Sequence, residues 1–409
     1  MAVNPLIVGL DIGTTKICAI VGEKSPDGHL DIIGVGTHPS HGLRKGVVIN
    51  IETTVESIKA AVEQAEQQAG IDINSVYVGI AGGHIKSFNS TGVVGVKGGE
   101  VTDADVKRVI EGAKAVAIPM DREVIHVIPQ EFIIDNQGGI KEPVGMSGVR
   151  LESRVHIVTG AISAAQNLVK CVNKAGLNVS DIILQPIASA RACLTKDEMD
   201  LGVVLVDIGG GTVDIAIFVQ GSLVYTTVIA LGGNNFTHDI SIGLRTPQQD
   251  AENLKIRYGS AKVDAVPIDD TIDVKVVGGK KSRMMPRRVL AQIIEPRTEE
   301  IMSLVRREII KSGYEELISA GAVLTGGASL LSGIEDVAED ILQMPVKLSA
   351  PNQVKGLIDI VSSPKFSTGV GLVLIGSEDP KTTSKNRARF PIRGDDDVFS
   401  HCLLYTSDA

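Results

Sequence analysis

The sequence predicts an α/β protein of two related domains that face one another across a cleft. Three observations carry that prediction. At 409 residues the chain exceeds what one core of ordinary size supports. Aromatic residues are only 3% with no Trp, so Val, Ile, Leu and Ala must build the core, as in parallel strands covered by helices. The third observation is a repeat. Leu6-Ile-Val-Gly-Leu-Asp11-Ile-Gly13-Thr14-Thr15-Lys16 reads like Val203-Val-Leu-Val-Asp207-Ile-Gly209-Gly210-Gly211-Thr212-Val-Asp214.

Each copy is an apolar strand, an Asp, a glycine turn with hydroxyls and a second apolar strand, over 17–21 and 215–219. A third strand follows at 30–37. Over 51–69, Ile51, Val55, Ile58, Val62 and Ala65 share one helical stripe that Gly70 ends. A strand at 75–81 stops at Gly82-Gly83. Residues 84–160 change texture, with a helix at 103–117, Pro119, Pro129 and the loop Gly138-Gly139, and read as an inserted subdomain. The α/β pattern resumes with a helix at 163–174 and a strand at 179–184. The second half repeats the plan: strands at 203–208, 213–219 and 223–230, then helical stretches over 235–258. A looser charged insert spans 261–288. A long helix interrupted by Pro296, a strand at 321–324 and a helix at 329–342 follow. After Gly376 the text turns polar and reads as a disordered tail.

Composition excludes several classes. A net charge of -9 argues against a nucleic-acid footprint, so no nucleic-acid partner is expected. Cys18, Cys171, Cys193 and Cys402 form no CxxC pair, which leaves no zinc or disulfide framework and suits a reducing cytosol. The apolar run 6–10 is too short for a signal peptide, and no run of 18 apolar residues spans a membrane. A chain of this kind can still lie on one.

The glycine turns suggest phosphate chemistry. Nucleotide phosphates need a backbone that approaches closely and presents N–H groups, which glycine permits. Gly13, Thr14 and Thr15 supply donors and Lys16 a positive charge, while Gly209, Gly210, Gly211 and Thr212 do the same from the opposite side. Asp11 and Asp207, at the strand ends, are placed to hold a hydrated Mg²⁺ through its waters. A third turn, Thr325-Gly326-Gly327-Ala328-Ser329, suits the sugar and base, and Gly232-Gly233 enters a helix in the same manner. One such turn alone is usually just a tight hairpin; two in matching contexts plus a third point to nucleotide. Gln185, before Pro186 at a helix start, could orient an attacking water or could merely cap the helix.

Asp11 to Lys16, Gln185-Pro186, Asp207 to Asp214 and Thr325 to Ser329 resemble the five-part nucleotide pattern of actin, the Hsp70 ATPase domain and sugar kinases. The link 38–50 is too short for the usual insert of actin-like filament proteins, and a long insert follows Gly83 instead. That arrangement is similar to the bacterial cell-division family FtsA. So are Gly42-Leu-Arg-Lys-Gly46, Val78-Gly-Ile-Ala-Gly-Gly-His84, Arg122-Glu-Val-Ile-His126-Val-Ile-Pro129-Gln130-Glu131-Phe132 and Gly145-Met-Ser-Gly148-Val-Arg150.

The resemblance covers 5 to about 376 and implies an actin-like fold of two ribonuclease-H-like domains with inserted subdomains, closing on ATP and Mg²⁺. It implies subdomain 1A over 1–83 and 161–200, 1C over 84–160, 2A over 201–232 and 304–376, 2B over 233–303, and a tail over 377–409. The implied activity is ATP-dependent polymerisation into filaments with slow or absent hydrolysis. Implied partners are the FtsZ C-terminal peptide on 2B, later division proteins on 1C, and membrane lipid at the inner face of the cell membrane. Glu252 and Lys255 resemble an adenosine-contacting pair on one helical face, with a surface ion pair as the lesser alternative. Asp214 belongs to the second turn's pattern.

The family's terminal amphipathic helix has no counterpart here. Pro380 and Pro391 break any apolar face over 381–393, and 402–409 has none, so a truncated end is expected. The basic cluster over 280–288 reads as a solvated loop or as a face for an acidic partner. The competing reading is a phosphotransferase or phosphohydrolase of the sugar-kinase class. It lacks a clear cluster for a carboxylate base and sugar ligands.

Overall fold

A computed structural model describes residues 5–25, 27–277 and 282–379. Lys280 and Lys281 of the basic cluster and the tail sequence from 380 onward lie outside the described residues.

Two sheets share one plan. In the first, Leu6–Ile12 pairs antiparallel with Lys16–Lys24, which pairs antiparallel with Leu30–Pro39. On its other side Leu6–Ile12 runs parallel to Ser75–Ile80, and that strand to Asn178–Leu184. In the second, Val203–Ile208, Val213–Val219 and Ser222–Ile229 form the antiparallel meander, and Ala322–Thr325 then Val346–Leu348 add in parallel. The repeat seen in the sequence is thus a repeat of topology. Register carries it to the residue: Asp11 lies opposite Cys18, and Asp207 opposite Asp214.

Local chemistry explains the first helix. Asn50 accepts from the Thr53 N–H at 3.2 Å to start Ile51–Ala69, and Gly70 ends it at φ 67°. Its Ile58, Ala61 and Ala65 face is fully buried. It lies so close to the strand Leu30–Pro39 that a Cβ on Gly36 would stand 1.8 Å from the Ala61 carbonyl oxygen.

The segment after Gly83 forms its own antiparallel sheet in the order Lys86–Gly95, Arg150–Ala161, Arg122–Ile134, Gln137–Ile140. The helix Asp103–Lys114, opened by a Thr102–Asp105 capping box, covers it with Val109, Ile110 and Ala113.

Several elements differ from expectation. The stretch 235–258 is two helices, Gly233–Leu244 and Gln248–Tyr258, because Arg245 turns left-handed at φ 52° just before Pro247. The helix Arg287–Ser312 runs through Pro296 without interruption. One proline removes a single backbone bond, while Leu290, Ala291, Ile294, Ile301, Met302 and Val305 bury the turns on both sides. The looser insert holds a short hairpin, Thr271–Val274 with Arg283–Pro286. The helix expected at 329–342 divides into a 3₁₀ turn, Gly327–Leu330, and the helix Ile334–Leu342.

Between the two sheets lie the helices Gln185–Cys193 and Ser367–Glu378. The second is buried from Ser367 to Ser377 on every side. At Gly371 the two helices nearly touch, since a Cβ there would stand 1.8 Å from the Ala188 carbonyl oxygen. Before this helix the chain crosses back to the first sheet, where Lys355–Gly356 pairs with Asp31 and Ile32. Among the described residues no helix is long and apolar enough to cross a membrane. Cys18, Cys171 and Cys193 are free and buried.

Candidate functional site

The two Asp–Gly turns close in the same way. The Gly13 N–H donates to the Lys16 carbonyl at 3.0 Å and the Gly209 N–H to the Thr212 carbonyl at 2.9 Å. Their tips meet. A Cβ on Gly210 would stand 2.3 Å from Thr15 Cγ2, and one on Gly211 would stand 2.7 Å from Thr14 Oγ1. Glycine at 210 and 211 is therefore a matter of space. Thr14 Oγ1 also accepts from the Gly46 N–H at 3.1 Å, which ties the turn to the short hairpin Leu43–Arg44 with Val47–Val48.

Three carboxylates are buried behind the turns: Asp11, Asp207 and Asp214. Burial pushes Asp11 up to about 6; the Lys16 charge opposes the rise and Asp207 adds to it. Asp214 is pushed up to about 8, by burial and then by Asp207, while the Thr212 hydroxyl bond at 2.9 Å opposes and Asp11 adds. Its Oδ1 is buried with no hydrogen-bond partner. Burial also raises Asp207, opposed by the hydroxyls of Ser189 at 2.5 Å and Thr368 at 3.3 Å, which both donate to its Oδ2.

Ser189 and Thr368 are missing from the sequence-derived set. They belong to a buried hydroxyl layer in which Ser189 and Thr368 lie 3.0 Å apart, and Thr325 and Ser367 2.7 Å apart. The one available signal was a run of Ser and Thr inside otherwise apolar helices, where a hydroxyl needs a partner.

Gln185 is the first residue of its helix, and its Nε2 donates to Asp11 Oδ1 at 3.2 Å. Lys16 is anchored on a segment late in the chain, and its charge still acts on both Asp11 and Asp207. Its ammonium donates to the Lys365 carbonyl and lies 4.3 Å from the centre of the Phe366 ring.

The remaining glycines converge on the second turn. The Gly233 N–H donates to the Gly209 carbonyl at 2.9 Å, and Gly232 is held by Asn235 Oδ1 at 3.0 Å. Gly326, at φ 89°, approaches Asp207 so closely that a Cβ would stand 2.3 Å from its Oδ1. Gly327 opens the 3₁₀ turn, and Ser329 Oγ closes it on the Gly326 carbonyl at 2.7 Å. Lys255 reaches the Gly233 carbonyl at 3.1 Å and Glu252 at 2.7 Å, so the pair sits half-buried against the helix entry. Among the described residues no group of three or more His, Cys, Asp and Glu side chains is arranged to grip a metal ion directly.

Two half-molecules of like topology, joined by central helices and meeting at paired Asp–Gly turns, define an actin-like α/β protein. The type IV pilus PilM–PilN complex has a chain of the same fold, at TM-score 0.66 and 17% identity, over 91% of this chain and 99% of that one. MreB5 of Spiroplasma citri bound to ADP is another, at TM-score 0.53 and 17% identity, over 91% of this chain and 95% of that one. Sequence narrows the class: the family model "Cell division protein FtsA" matches residues 204–371, and "SHS2 domain inserted in FTSA" matches 82–159. The FtsA of Pseudomonas aeruginosa is 54% identical over 371 residues, covering 91% of this chain and 89% of that protein. The chain belongs to the FtsA family, and is an actin-like cell-division protein.

Proposed function

We propose that this protein binds ATP with Mg²⁺ between its two glycine turns, assembles into filaments, and links the FtsZ ring to the inner face of the membrane. The observation that carries the nucleotide reading is the trio of buried carboxylates behind the turns, with Asp214 Oδ1 unsatisfied. A buried carboxylate with an unpartnered oxygen either takes up a proton, as the raised Asp214 does, or is completed by a cation. The same trio has too few aligned ligands to strip Mg²⁺ of its waters, which fits an ion held through them by Asp11 and Asp207. When bound, Mg²⁺ neutralises phosphate charge.

The chain's own residues do the rest. Backbone N–H groups of Thr14 and Thr15 and of Gly210 to Thr212 cradle phosphate oxygens, while those of Gly13 and Gly209 close the turns on the Lys16 and Thr212 carbonyls. Ser189 and Thr368 hold Asp207 in one orientation, and Asp11 holds Gln185, whose amide is left to orient a water. Lys16 gives one of its three N–H donors to the Lys365 carbonyl, which leaves two for phosphate. Gly232, Gly233, Gly326 and Gly327 line the adenosine side, with Glu252 and Lys255 beside them. The ADP bound to MreB5 agrees with such a cleft in this fold.

Residues 233–303 expose Ile256, Ile268 and Met284 near Arg257 and Arg283, chemistry suited to an acidic, partly apolar peptide such as the FtsZ tail. The insert 84–160 is the docking face for later division proteins. Membership in a cell-division family counts against the phosphotransferase reading.

Two experiments test this. Calorimetric titration with ATP and Mg²⁺ should give saturable binding that Asp207→Asn weakens roughly tenfold or more; equal affinity for the variant would overturn the site. Electron microscopy on lipid with ATP, with and without FtsZ, should show ATP-dependent filaments that recruit FtsZ. Absence of filaments with ATP, in solution as well as on lipid, would overturn the scaffold.

A further inference from the structure

The insert sheet and the second-half sheet each present an edge strand, Lys86–Gly95 and Ser222–Ile229. Among the described residues these edges share no backbone ladder, yet side chains of the insert close the gap. Ser87 Oγ donates to the Thr226 carbonyl at 2.7 Å, Asn89 Nδ2 to the Val224 carbonyl at 3.2 Å, and Gln130 Nε2 to the Leu223 carbonyl at 3.2 Å. In return Ser222 Oγ donates to the Gln130 carbonyl at 2.8 Å. Buried His156 fastens the middle, with Nδ1 2.7 Å from Asn89 Oδ1 and Nε2 3.0 Å from Thr226 Oγ1. Positions 87 and 89 face 226 and 224, so the contact runs in step along both strands.

An open sheet edge is normally covered by another strand or shielded from water. Here it is capped by side chains, one bond at a time. Each such bond exchanges with water at small net cost, unlike the apolar seal between the central helices. The insert is rooted in the first half beside the cleft, through Gly82-Gly83 after Ser75–Ile80 and through Gly160 before Ile162–Lys174. Gly82 sits at φ 126°, a conformation that favours glycine. The insert is therefore covalently part of one half and held to the other by polar bonds along the middle of the edge, with apolar contacts of Ile128 to the core that contains Leu223 and of Val228 to the core that contains Ile125 and Val158.

We propose that the insert is a releasable latch: its polar edge holds the second half against the first, and bound nucleotide leaves only after that edge lets go. The proposal rests on the nucleotide reading of the cleft, and its test separates the two. Ser87→Ala combined with Asn89→Ala should speed release of a fluorescent ATP analogue, measured by stopped flow, on the order of tenfold. Lys141→Cys with Ser222→Cys, whose native side chains are hydrogen-bonded, should slow release when joined by a short bis-maleimide, each thiol adding across one maleimide C=C bond. Spin labels at Met120 and Leu201, both exposed, report the same motion without nucleotide. The double alanine variant should add longer distances, and the linked chain should lose them. Unchanged release and unchanged distances in both variants overturn the latch. Lengthened distances in a protein that binds no nucleotide uphold the latch and overturn the cleft's assignment. If the alanine variant fails to fold, the linked chain decides by its distances alone.

Discussion

At the scale of single residues, space and protonation make separate predictions. Gly210 is not required by its backbone angle but by Thr15, so Gly210→Ala should weaken ATP binding at least about tenfold through a clash of the two turns. Adding Thr15→Ala removes the opposing Cγ2 and Oγ1 and should restore much of that loss, which titration of both variants can check. His126 makes a pH prediction. Its Nε2 accepts the Leu184 N–H at 2.9 Å, and burial lowers it from 6.5 to about 4. The neutral form belongs to the folded state, so its stability contribution is complete above 6.5 and is lost as pH falls toward 4. Urea unfolding should show a loss of about 2 kcal/mol from this residue between pH 7 and pH 5. His126→Gln should flatten that slope; an equal slope in the variant contradicts the assignment. The sequence exposed the residues in glycine turns, because Asp and Gly at strand ends have few other uses. It did not expose Ser189 or Thr368, since a hydroxyl inside an apolar helix has no spacing to mark it. Nor did it show that Lys16 folds back over Phe366, which depends on a segment 349 residues away.

At the scale of elements, strong local signals survived and uniform ones did not. Ile51–Ala69 was legible because a capping Asn, a periodic stripe and a closing Gly agree. Ser367–Glu378 escaped notice because it is apolar on every face and carries Gly369, Gly371 and Gly376, so no period of 3.6 stands out. Those glycines have a cause. They let the helix lie against Ala188, Leu6–Ile12 and Tyr77 at backbone distance. Gly371→Val should therefore drive the two central helices apart and cost about 3 kcal/mol or more in urea unfolding. Gly313→Ala, at a helix end with open space around it but φ 76°, should cost about 1 kcal/mol. Similar losses for the two would mean that close packing is not what glycine serves at 371. Pro296 misled in the other direction: buried turns on both sides outweigh one missing bond.

At the scale of the whole molecule, the repeat in the sequence became two sheets of one plan, and the pairing of Asp207 with Asp214 put carboxylates on the face that meets Asp11. The crossing back of the chain at Lys355–Gly356 was not legible, because two residues of strand leave no pattern. It means that both halves depend on the C-terminal third of the chain, so they should unfold together. A single calorimetric transition is expected, and two well-separated ones would contradict it. The central claim is that the two glycine turns grip one nucleotide. A crystal structure grown with Mg²⁺ and a slowly hydrolysed ATP analogue tests it most directly. Phosphate oxygens should lie within hydrogen-bond reach of backbone N–H groups in both 13–15 and 209–212, with Asp11 and Asp207 facing the ion. A nucleotide bound elsewhere, or touching only one turn, would contradict the account.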